Sequence, residues 1–161
     1  MPPPTRPAHA LALLLVTAAT AATLSACSEG EDEQTPAACL TGKGEYRKAL
    51  AAAPGEVALD DGTPISECLP PEQEGGQLAQ TGKLLVLTAT ELNSEAQRDP
   101  TGPAAIQLGY LVGAIERGAD GIHADLVRRV NSAARFSPEG LLPPEFERTF
   151  GQGYAAGLES G

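Results

Sequence analysis

Few side chains in this 161-residue chain could do chemistry, and they fall in a handful of places. There are two histidines, His9 and His123. His123 follows Asp120 by three residues and precedes Asp125 by two, so a carboxylate could orient its imidazole for general acid–base work. A Ser-His-Asp device needs only one histidine, yet no GxSxG elbow occurs in the sequence. The competing role is a neutral, packed ring. His123 falls in the first turn after Asp120, on the apolar side of its helix near Val127 and Val130. The positive end of the helix dipole there disfavours the charged imidazolium.

The three cysteines are Cys27, Cys39 and Cys68. No CxxC spacing accompanies them, and so few histidines rule out HExxH and most multi-histidine zinc sites. No metal is expected. In an exported protein Cys39 and Cys68 pair most simply as a disulfide, with a reactive or metal-binding pair as the alternative. Glu91 and Glu95 lie one helical turn apart, but carboxylate catalysis needs two groups facing across a cleft. Asp60 and Asp61 lack the dense carboxylate spacing of a calcium loop and read as a solvated turn. Neither GxGxxG nor GxxxxGK[ST] is present, so no nucleotide cofactor is expected, nor any other.

Charge narrows the partners. The net charge is −10 and uneven: residues 29–74 hold eleven acids and three bases, residues 75–161 ten acids and seven bases. Nucleic acid is disfavoured, because phosphate contacts need clustered Lys and Arg. Adhesion to anionic lipid is disfavoured for the same reason. The one basic strip is Arg128 with Arg135, beside Asn131 and Ser132, which could receive an anionic envelope protein or simply face solvent.

The start of the chain supplies its most specific motif. Pro2–Pro4 and Arg6 precede the apolar run Ala10–Val16, which relaxes through Ala and Thr to Leu24-Ser25-Ala26-Cys27. A basic start, a short apolar middle and a small-residue exit are the parts of a secretory signal. The last four residues resemble the lipobox of bacterial lipoproteins. That resemblance implies cleavage before Cys27, a diacylglyceryl group on its sulfur, and acyl chains such as palmitate holding the protein to a membrane. Two chains meet the requirement for stable anchoring that one would not. An uncleaved transmembrane anchor over Ala8–Ala26 is the alternative, weakened by the threonines of its second half. The whole chain resembles secreted lipoproteins of high-GC bacteria whose activity is uncharacterised, and that likeness carries location alone.

Four regions follow: a signal over 1–26, a lipidated cysteine and acidic tether over 27–36, a stapled lobe over 37–71, and a helical domain over 72–161. The tether SEGEDEQTP reads as disordered and would span roughly 15–18 Å as a coil. In the lobe, Glu45–Ala53 suggests a short helix, and Glu56–Ile65 suggests a small hairpin around an Asp-Gly turn. Beyond Pro70-Pro71, four helices are expected. Gln77–Gln97 carries Leu78, Leu85, Ala89, Leu92 and Ala96 on one arc, although Leu84–Leu87 alone could be a buried strand. Ala104–Ile115 is apolar nearly all round and belongs at the centre of a core, with Gly109 and Gly113 allowing close approach. Asp120–Arg135 opens on an Asp120 cap, shows a stripe of Ile122, Leu126, Val130 and Ala133, and pairs Asp125 with Arg129. Pro144–Leu158 sets Phe146, Phe150, Gly153 and Gly157 on one arc, with Tyr154 at its edge.

The expected fold is therefore all-α: a small antiparallel bundle of about four helices, with an irregular Cys39–Cys68 lobe packed at one end. The expected function is that of a membrane-tethered extracytoplasmic lipoprotein, a non-enzymatic interaction or structural protein of the cell envelope. The alternative is an envelope hydrolase or ligand binder using His123 with Asp120 or Asp125.

Overall fold

The computed structural model describes residues 34–136 and 142–161. The signal, Cys27, the tether through Glu33 and residues 137–141 lie outside the described residues. What is described is all-helical: α1 Ala38–Thr41, α2 Lys43–Leu50, α3 Gly75–Ala96, α4 Pro103–Gly118, α5 Ala124–Ala133 and α6 Pro144–Ser160. Short 3₁₀ turns cover Ile65–Cys68 and Gly121–His123.

Segment 84–87 is the middle of α3. A strand would put Leu85 and Leu87 on one face. Instead Leu85 is fully buried while Leu87 is 41% exposed, as helical geometry requires. Leu85, Ala89, Leu92 and Ala96 all reach the core, and Leu78 is half-buried at its edge. The link to α4 is tied by the Asp99 carboxylate, which accepts the Thr101 amide and hydroxyl. Pro103 then occupies the first turn of α4, where a missing N–H costs nothing.

Helix α4 is central. It packs against α2, α3, α5, α6 and the Ile65–Cys68 turn, and buries Leu108, Tyr110, Leu111 and Ile115 among others. Its tightest partner is α6. A Cβ on Gly109 or Gly113 would collide with the Phe150 or Tyr154 carbonyl, and one on Gly153 or Gly157 with that of Ile106 or Tyr110. Residue numbers rise together along this contact, so α4 and α6 run parallel; the pairs Lys43–Glu91 and Arg47–Glu95 likewise make α2 parallel to α3. The glycines of both helices thus let two backbones meet.

Helix α5 begins later than its pattern suggests. Asp120 caps a 3₁₀ turn, not the α-helix itself, and that tighter winding leaves Ile122 48% exposed, off the stripe where it was expected. Leu126 and Val130 are buried as the stripe requires. Asp125 pairs with Arg128, one residue short of the expected Arg129.

The lobe is stapled by the Cys39–Cys68 disulfide, with Cα atoms 5.5 Å apart. It holds no strand among the described residues, so the expected hairpin is only a turn. The Leu59 amide donates to the Thr63 carbonyl at 2.9 Å, and Gly62 adopts φ +89°. Pro64 has no N–H to extend the ladder, and the chain winds at once into the Ile65–Cys68 turn. The lobe also does more than close one end. Helices α1 and α2 lie along α3, where Lys43 pairs with Glu91 and Arg47 with Glu95, while the Ile65–Cys68 turn abuts α4. One hydrophobic cluster runs from Cys39 to Phe146, so lobe and bundle share a core. No helix among the described residues is long and apolar enough to cross a membrane.

Candidate functional site

His123 is fully buried. Its Nδ1 accepts the Asp120 amide at 3.1 Å, and Asp120 Oδ1, 3.0 Å away, accepts the Ile122 amide. The two side chains form a reciprocal cap at the start of the 3₁₀ turn. With Nδ1 accepting, the ring proton belongs on Nε2, which is buried without a partner. Asp125 is turned to solvent and held by Arg128. The structure thus joins Asp120 to His123 as a cap and leaves Asp125 apart. No substrate atom reaches His123 in this conformation.

Arg128 and Arg135 are both exposed. Arg135 lies past the end of α5, where the Asn93 side chain donates to the Arg135 carbonyl at 2.8 Å and to that of Ala133 at 3.0 Å. Arg128 sits mid-helix and is shared with Asp125, so its charge is partly spent within the protein. Asn131 donates to Glu116 at 3.0 Å. The expected strip is therefore a broken one, with Arg135 at its outer end.

Two further sites escaped the sequence. Thr35 is buried, and Gln73 Nε2 donates to Thr35 Oγ1 at 2.6 Å and to the Cys68 carbonyl at 3.0 Å. This clamp fixes where the preceding chain leaves the domain: beside the disulfide and at the start of α3. Exposed Glu67, Glu72 and Glu74 surround that exit. The second is Glu116, whose two oxygens accept Asn131 from α5 and the Tyr154 hydroxyl from α6, the latter at 2.5 Å. That hydrogen bond raises the Tyr154 pKa above the usual tyrosine value. A lone glutamate closing an apolar helix was the available hint for Glu116; nothing marked Gln73.

The surface of the described residues includes two open clefts. One of about 450 Å³ is lined by Gln34, Ser66, Glu67 and Pro70 at the exit of the N-terminal segment. Another, about 210 Å³, lies between the first turns of α3 and α5. No group of three His, Cys, Asp or Glu side chains among the described residues could hold a metal. No protein-family model, curated protein or solved structure matches this chain.

Proposed function

We propose that the protein is an extracytoplasmic lipoprotein, anchored through acyl chains on Cys27, whose helical domain presents the end bearing Arg135 to an anionic envelope partner without catalysing a reaction. The carrying observation is the motif Leu24-Ser25-Ala26-Cys27 at the end of an apolar run. Supporting it is the position of the Thr35–Gln73 clamp. The clamp sits at the start of α3, whereas Asn93, which holds the Arg135 carbonyl, lies eighteen residues along that helix from Gly75. At about 1.5 Å per residue the two ends are separated by about 27 Å. Acids crowd the tether end, so an anionic bilayer repels it and the lipid alone holds it there. The far end is left to meet other molecules.

Mass spectrometry of protein isolated from membranes tests the anchor: a lipid-modified N-terminus at Cys27 is expected, and an intact Met1 would refute it. Partner capture tests the surface. Arg135→Glu should reduce recovery of a crosslinked envelope neighbour, Arg128→Glu should reduce it less, and equal recovery by wild type and both variants would refute the Arg135 end.

A further inference from the structure

We infer that the cleft between the first turns of α3 and α5 seats a segment of one acyl chain of the Cys27 lipid when the protein is out of the bilayer. The inference rests on the lipidation proposed above. Leu78, Ala79, Gly82, Ile122 and Leu126 form the apolar lining. Gly82 is buried under Leu126, whose Cδ1 would stand 3.2 Å from a Cβ placed there, so the floor is closed by hydrocarbon. Ile122 stands at the edge with 48% of its surface in water, an aliphatic group that the fold itself leaves uncovered.

The polar rim suits an uncharged chain. Asp125 and Arg129 carry opposite charges one turn apart on α5, so the cleft offers no net attraction to a phosphate or carboxylate. The larger cleft is a poorer seat, because the Glu67 carboxylate and Gln34 amide line it.

Reach fixes the occupant. Thr35 is pinned by Gln73, and Gly75, two residues further on, already lines the cleft. Eight residues, Cys27 to Gln34, lie between the lipidated sulfur and that pin. Eight residues of chain reach at most about 26–29 Å. Gly82 lies seven residues along α3 from Gly75, about 10 Å. The whole cleft is therefore within range of the chain's own lipid, at a local concentration that no free lipid matches.

The test uses the full lipoprotein from cells fed a diazirine-bearing palmitate. Its lipid-modified mass is confirmed first; a protein without lipid mass overturns the anchoring proposal itself. After detergent removal and photolysis, adducts are expected within residues 78–82 and 122–126, and light scattering should report a monomer. The variant Ala79→Glu/Ile122→Asp changes two exposed residues and should keep its helical circular dichroism. It should lose those adducts by about tenfold, the effect of denying hydrocarbon a dry surface, and self-associate through its bare acyl chains. Adducts confined to the tether, or a lipidated wild type that associates as readily as the variant, overturn the seat.

Discussion

Gly109 of α4 and Tyr154 of α6 meet backbone to backbone: a Cβ on Gly109 would stand 2.8 Å from the Tyr154 amide nitrogen. Neither partner can yield, because the obstruction is main chain inside a helix. Gly109→Ala and Gly153→Ala should each destabilise the fold by about 1–3 kcal/mol or more through forced separation of α4 and α6. Gly151, on the open side of α6, meets nothing within 4 Å. Gly151→Ala should stabilise by about 0.5–1 kcal/mol, since alanine loses less backbone freedom in a helix. Urea denaturation of the three variants checks both signs at once.

The disulfide is the second large contribution. Cys39 and Cys68 are 29 residues apart in sequence and fully buried. On the chain-entropy account, closing such a loop stabilises by about 3–4 kcal/mol. Cys39→Ala/Cys68→Ala should lower the urea midpoint accordingly. Reductant should lower the wild-type midpoint to a similar value and leave the double variant unchanged.

Both contributions were legible in the sequence, while several finer features were not. Helical order, the central place of α4 and the Cys39–Cys68 pair follow from apolar spacing and the scarcity of cysteine. The Glu56–Ile65 hairpin misled because an Asp-Gly turn specifies a reversal, not the ladder that makes strands, and Pro64 ends the ladder after one bond. Ile122 misled because a 3.6-residue period was extended through a 3₁₀ turn. Glu116 and Gln73 were invisible for another reason. Each acts through a partner 38 residues away that only packing of the chain brings near.

Alkaline pH should expose the role of Tyr46. Its hydroxyl donates to the Cys39 carbonyl at 2.8 Å, and burial pushes its pKa well above the usual 10.0. In the unfolded chain the phenol ionises near its ordinary value, while in the fold it stays protonated. Its contribution is therefore fully present below pH 10 and is lost as pH rises above it, because the unfolded state then binds fewer protons. Stability measured in urea should fall between pH 10 and 11, and Tyr46→Phe should flatten that fall.

Tyr154 offers a spectroscopic reading of the Glu116 contact. Its pKa is raised first by the hydrogen bond to Glu116 and then by burial and the carboxylate's charge. Glu116→Gln removes the charge and weakens the acceptor. Phenolate absorbance should then show Tyr154 titrating closer to 10.0, with Tyr154→Phe identifying its share of the signal. A Tyr154 titration unmoved by Glu116→Gln would mean that the bond does not form in solution.

His123→Leu separates a packed ring from a working one. The substitution removes the acceptor of the Asp120 amide, a cap worth about 1 kcal/mol. It also removes Nε2, a buried donor without a partner, and leaving such a group unsatisfied costs about 1–3 kcal/mol. The two effects oppose, so His123→Leu should leave stability between unchanged and about 2 kcal/mol higher. Asp120→Ala lacks the offset and should cost about 1 kcal/mol by loss of the Ile122 cap. If His123 served as a base, its leucine variant would fold normally yet abolish activity. Retained partner capture by a stable His123→Leu protein is the expected result.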